Sequence, residues 1–132
     1  MKNIHIGDYV TAFYKTGKYI GEVTGERPGA YVVKIHAVLK HPRQGDLHNP
    51  NLVDVPLFHE RKALAYREQA NMPEKMVKPY EGEIPEYNNT LVTSFQELRN
   101  ELQADSSPYA LKSLDTLQSV QREYELMYGL TF

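Results

Sequence analysis

Between Ile6 and Leu39 three apolar runs, Tyr9 to Tyr14, Lys18 to Thr24 and Tyr31 to Leu39, are opened by Gly7-Asp8 and separated by two tight turns. The pattern predicts a three-stranded meander. Side chains on a strand alternate between faces, so Val10, Ala12 and Tyr14 share one face of the first strand and Tyr9, Thr11 and Phe13 the other. Both faces are partly apolar. Lys15-Thr16-Gly17-Lys18 offers glycine where a hairpin needs a positive φ, and Arg27-Pro28-Gly29-Ala30 sets proline before glycine in the order of a type II turn. On the second strand Tyr19, Gly21 and Val23 share a face; on the third Tyr31, Val33 and Ile35 do, with Val32 and Lys34 behind. Gly21 in mid-strand predicts a bend or a close backbone approach, which a small, strongly curved barrel requires.

Beyond the meander, the stretch from His41 to Asn51 is a loop by composition, rich in proline, glycine and asparagine. Asp54 to His59 is a short apolar interval broken by Pro56. Lys62 to Tyr66 reads as a fourth strand, although Arg61 to Glu68 also carries the alanine, leucine and glutamate that favour helix. Strand is preferred because Asn71-Met72-Pro73 follows so soon. That break is expected as a 3₁₀ turn leading into a last strand from Met76 to Tyr80, where Pro79 requires an edge or terminal position. Five strands with a 3₁₀ turn before the fifth is the order of an SH3-like barrel.

Glu81 to Glu86 is an acidic linker, after which the period changes. Tyr87, Leu91, Phe95, Leu98 and Leu102 form one helical stripe with Val92 beside it. The start lies either at Pro85 or at an Asn89 or Thr90 cap, with Ser94 and Glu97 as a rival capping box; the end falls near Ala104. Ser107-Pro108 supplies a capping hydroxyl and a proline at the first helical position. Leu111, Leu114, Leu117, Val120, Tyr124 and Met127 then continue an apolar face until Gly129 closes the helix. The short connection makes the two helices an antiparallel hairpin. The expected architecture is α+β: an SH3-like barrel over 1–80, a linker over 81–87 and a helical hairpin over 88–132. The apolar end of the second helix, with Tyr124, Met127, Tyr128, Leu130 and Phe132, either docks on the barrel or meets a second copy in a homodimer.

The 132 residues fit one compact unit, and their net charge of −2 provides no basic field for a nucleic-acid backbone. No cysteine is present, which removes disulfides, thiolate ligands and lipid attachment through sulfur, and suits a reducing compartment. Neither a signal-like segment nor a run long enough to span a bilayer is found, so the chain is expected to be cytoplasmic.

Few residues invite chemistry. The single cluster with metal-ligand types is His41, Asp46 and His48, whose spacing matches no ligand signature and which exposed loop histidines reproduce by accident; no cofactor is expected. His5, His36 and His59 are isolated. Ten tyrosines and four phenylalanines are many for this length. Tyr9, Phe13, Tyr14, Tyr19 and Tyr31 could grip a proline-rich or cationic side chain, although strand aromatics in a small barrel are more often core than cage. The carboxylates sit at turns or strand edges, no nucleophile elbow occurs and no glycine loop cradles phosphate.

The order Gly7-Asp8-Tyr9-Val10, Tyr19-Ile20-Gly21-Glu22-Val23, Tyr31-Val32-Val33-Lys34-Ile35, then Arg61 to Pro73 and a two-helix tail resembles the kinase-associated protein B family of spore-forming Gram-positive bacteria. Its most distinctive piece is Ala65-Tyr66-Arg67-Glu68-Gln69-Ala70-Asn71-Met72-Pro73. The resemblance implies a non-enzymatic accessory protein that supports a membrane sensor histidine kinase feeding the sporulation phosphorelay. It also implies an SH3-like barrel with a helical C-terminal part, and it carries over no binding residues. The family has been described as a lipoprotein, from which the absence of cysteine departs.

Overall fold

The computed structural model describes residues 3–46, 49, 51–55 and 58–132. The first three strands are β1 (Tyr9–Tyr14), β2 (Gly17–Arg27) and β3 (Ala30–Lys40), followed far along the chain by β4 (Gln69–Pro73), a 3₁₀ turn (Glu74–Met76) and β5 (Val77–Pro79). Helices α1 (Tyr87–Ala104) and α2 (Pro108–Tyr128) complete the fold. All five strands form one antiparallel sheet in the order β4-β3-β2-β1-β5. Its ladder is open, with β4 and β5 at the two edges.

The meander follows the predicted alternation. Val10 and Ala12 are buried, as are Tyr19, Val23, Val33 and Ile35 on the paired strands. Gly29 carries the positive φ of +72° that the proline-glycine turn demands. In the first hairpin the expectation needs correcting: Gly17 already belongs to β2, and Lys15 is the residue at φ +55° in the two-residue turn. Gly21 is required as expected. A Cβ there would stand 2.5 Å from the Lys34 carbonyl oxygen, where β2 and β3 slip register between Ile20 and Gly21.

The fourth strand lies later than the sequence suggested. Lys62 to Tyr66 joins no ladder, because its backbone groups are taken by side chains: Tyr124 Oη accepts from Ala63 N–H at 2.8 Å and Tyr19 Oη from Leu64 N–H at 3.2 Å. Tyr87 O–H donates to the Leu64 carbonyl at 2.6 Å. After a turn at Arg67, with φ +70°, residues 69–73 pair with β3. Asn71-Met72-Pro73 is thus strand, and the 3₁₀ turn comes next, at Glu74–Met76. Pro79 ends the short edge strand β5.

Glu86 precedes α1 without a side-chain cap. Thr90, a candidate cap, instead accepts from Val38 N–H at 3.0 Å and ties the first turn of α1 to β3. The C-terminal hairpin keeps the predicted caps: Ser107 Oγ accepts from Ala110 N–H at 3.1 Å, and Gly129 closes α2 at φ +65°. Phe95 meets Tyr124, and Arg99 donates to Gln121 at 3.0 Å, so the two helices run antiparallel. The buried stripe of α2 is Tyr109, Ala110, Ser113, Leu117, Val120 and Tyr124; Leu117, Val120 and Tyr124 are buried as expected, whereas Leu111 and Met127 are 63% and 58% exposed. A rotation of about 100° per residue takes Leu111 off the face that Ala110 and Leu117 share. Past α2, Leu130 and Phe132 return to the core, Phe132 at 4.8 Å between ring centroids from Phe95. One hydrophobic cluster thereby joins residues of the sheet and of both helices. Burial of each valine, leucine or isoleucine in it stabilises the fold by about 1.5–3 kcal/mol.

Candidate functional site

His41, the first residue of the one cluster with metal-ligand residue types, is a core residue at 4% exposure. Its Nδ1 lies 2.9 Å from the Pro42 carbonyl, which can only accept, so Nδ1 carries the proton. Nε2, 2.8 Å from Tyr124 Oη, then accepts the phenol proton, while the same oxygen accepts from Ala63 N–H. Both ring nitrogens are committed. Burial lowers the imidazole pKa to about 4 against the opposing pull of the Pro42 carbonyl, which keeps the ring neutral. Asp46 accepts from Asn49 Nδ2 at 3.0 Å, and His48 lies outside the described residues, as does Pro56. Among the described residues no three His, Asp or Glu side chains gather as metal ligands do.

Gln44 is the second buried polar residue of this segment. Its amide donates to the Arg61 carbonyl at 2.9 Å and accepts from Arg61 N–H at 2.8 Å, a side-chain copy of a strand pair. Tyr109 O–H donates to the Gln44 carbonyl at 2.8 Å. The start of the long loop is thereby fastened to residue 61 and to α2. Sequence reading missed these anchors, yet a signal existed. Tyrosine in place of leucine or phenylalanine on a buried helical stripe implies a partner for the hydroxyl, and Tyr87, Tyr109 and Tyr124 all have one.

The five aromatic candidates do not converge. Tyr19 and Tyr31 are core residues at 1% and 8% exposure, and burial pushes the Tyr19 phenol up to about 12. Tyr14 packs against the same core. Tyr9 and Phe13 face outward, 40% and 38% exposed, at opposite ends of β1. Tyr9 is the first ring of an aromatic series that sequence reading did not assemble: it meets His36 at 5.5 Å, His36 meets Tyr66 at 6.1 Å, and Tyr66 meets Tyr87 at 5.7 Å. Next to it His36, Tyr66, Tyr87 and Tyr128 line a cleft of about 510 Å³. Phe13 lies at another cleft, of about 640 Å³, with Lys15, Lys40, Arg43, Glu97 and Glu101. The outer surface thus offers rings and cations for contact, while the ionisable groups most displaced from their ordinary pKa, His41, Tyr19, Tyr87 and Tyr124, are core residues shifted by burial.

These features define a small α+β protein whose five-stranded antiparallel sheet is braced by a C-terminal helix pair. The family model described as kinase associated protein B matches residues 14–125. The chain is 52% identical over 124 residues to kinase-associated lipoprotein B of Bacillus subtilis (strain 168), a match covering 94% of this chain and 97% of that one. It also superposes on the crystal structure of kinase-associated protein B from Bacillus cereus with a TM-score of 0.79 at 50% identity, covering 93% of this chain and 99% of the other. The chain belongs to the kinase-associated protein B family. No helix among the described residues is long and apolar enough to cross a membrane.

Proposed function

We propose that this protein is a non-enzymatic adaptor that associates with the cytoplasmic region of a sensor histidine kinase and supports its signalling into the sporulation phosphorelay. The observation that carries the reading is the 52% identity, over 94% of the chain, to a protein named for its association with a kinase. An adaptor alters a kinase only by binding one of its conformational states better than another; equal affinity for both shifts nothing. Residues 1–80, the connector 81–87 and the hairpin 88–132 act in this reading as one body, which the shared hydrophobic cluster supports. The strand order and the 3₁₀ turn before the last strand support an SH3-like barrel as the type of sheet. The protein works in the cytoplasm, held near the membrane through its partner. Acylation of a thiol is not open to these 132 residues, which include no cysteine, although the Bacillus subtilis relative is called a lipoprotein.

The test is a titration of the purified kinase cytoplasmic region. Saturable binding with a changed rate of autophosphorylation is expected, and no binding with an unchanged rate would overturn the reading. An SH3-like module for a peptide is the second reading, favoured by the outward Tyr9, Phe13 and Tyr66. It predicts binding to isolated peptides without any effect on a kinase.

A further inference from the structure

At one corner of the sheet the register sets Phe13 of β1 beside Lys18 of β2, and Lys18 beside Lys40 of β3. Like charges directly opposite one another on neighbouring strands repel and weaken the sheet. Among the described residues neither lysine has an ion-pair partner. Both ammonium groups lie over the Phe13 ring instead, 5.2 Å and 5.8 Å from its centroid. Lys15 joins them from the β1–β2 turn, its Nζ 5.5 Å from the Tyr14 centroid. Its φ of +55° is one that glycine adopts without the cost a Cβ brings.

Two local rules, one of strand pairing and one of turn chemistry, are therefore broken at the same corner. The contact with Phe13 offsets part of the repulsion, and departures from local rules are found at functional sites. Phe13, Lys15 and Lys40 open onto the cleft of about 640 Å³, where Arg43 holds Glu101 at 3.4 Å on the facing wall.

We propose that this corner is a docking site for an acidic segment of a partner protein, its carboxylates pairing with Lys15, Lys18 and Lys40 and an apolar side chain lying on Phe13. The proposal deepens the adaptor reading and rests on it for the identity of the partner alone. Charge complementarity selects the occupant: among the described residues Lys15, Lys18 and Lys40 form no ion pair, and Lys18 and Lys40 flank the half-exposed Phe13 ring. Arg43 pairs with Glu101 on the same cleft, and a single-stranded nucleic acid is the rival polyanion, which displacement by an oligonucleotide separates from an acidic segment.

The probe is a synthetic ten-residue peptide of aspartate and glutamate around one central phenylalanine, with a lysine counterpart as control, measured by fluorescence anisotropy on the full chain. The acidic peptide is expected to bind, more weakly as salt rises, and the lysine peptide not at all. Combined Lys15→Gln, Lys18→Gln and Lys40→Gln should weaken binding about tenfold or more while leaving the circular dichroism spectrum intact. Lys15→Gly separates site from scaffold. It relieves the turn and raises the melting temperature, yet weakens the peptide severalfold. Equal binding of both peptides, undiminished binding by the variants, or displacement of the acidic peptide by a single-stranded oligonucleotide of equal charge would each overturn the proposal. A kinase region that binds the triple variant as tightly as the native chain removes this site and leaves the adaptor reading standing. Acidic-peptide binding through these lysines, with no kinase bound, does the reverse.

Discussion

His41 and Tyr124 show how much of this molecule turns on single polar atoms inside the core. Tyr124 Oη accepts from Ala63 N–H and donates to His41, so Tyr124→Phe strands a buried donor and a buried acceptor together. Each orphaned group costs about 1–3 kcal/mol, and a loss of about 2–4 kcal/mol by urea denaturation is expected. The imidazole also predicts a pH dependence. Its folded pKa of about 4 lies below the ordinary 6.5, so below pH 6.5 the unfolded chain binds the proton that the folded chain refuses. The stability tied to neutral His41 is complete above pH 6.5 and falls as pH drops toward 4, by up to about 3 kcal/mol. Denaturation midpoints at pH 7, 5.5 and 4.5 should show a slope that His41→Phe flattens; an equal slope in that variant would refute the assignment. Nothing in the sequence marked this histidine as core, since its neighbours Pro42 and Gln44 have the composition of a loop.

Among the elements, the meander was readable because its signals are local. Alternation assigns Val10 and Ala12 to the core, and Pro28-Gly29 makes the turn by its own φ preferences. Gly21→Ala should cost about 1–3 kcal/mol in melting experiments, because its Cβ would press on the Lys34 carbonyl oxygen at 2.5 Å and a paired backbone yields little. At the α2 start Ser107→Ala should cost about 1 kcal/mol through loss of the cap to Ala110. Leu126→Lys, on a side chain 86% exposed, should change stability by less than about 0.5 kcal/mol. The fourth strand was misread because Lys62 to Tyr66 has strand composition, whereas Asn71-Met72-Pro73 has that of a 3₁₀ turn. Which of them joins the ladder depends on who takes their backbone groups, and Tyr19, Tyr87 and Tyr124 take those of the first segment.

On the scale of the whole molecule, one cluster runs from Val10 and Ile35 in the sheet through Leu91 and Phe95 in α1 to Leu117 and Tyr124 in α2. Sheet and hairpin should therefore unfold together: the tyrosine near-ultraviolet signal and the helical far-ultraviolet signal are expected to share one midpoint. Two separated midpoints would mean independent units. The C-terminal residues belong to the same core, since Phe132 packs on Phe95 and Tyr124. Alternation, turn chemistry, caps and the 3.6-residue period are interactions between residues a few positions apart. They determined from the sequence alone the three-strand meander, both helices with the C-terminal end of each and the Ser107 cap of α2, and the pairing of the helices, while the start of α1 at Tyr87 was not among them. The placement of β4, the N-terminal part of the buried face of α2, the neutral His41 and the cationic corner around Phe13 were decided by tertiary structure. Each depends on a partner tens of residues away, or on a register that one bulge shifts, and no short-range preference encodes either.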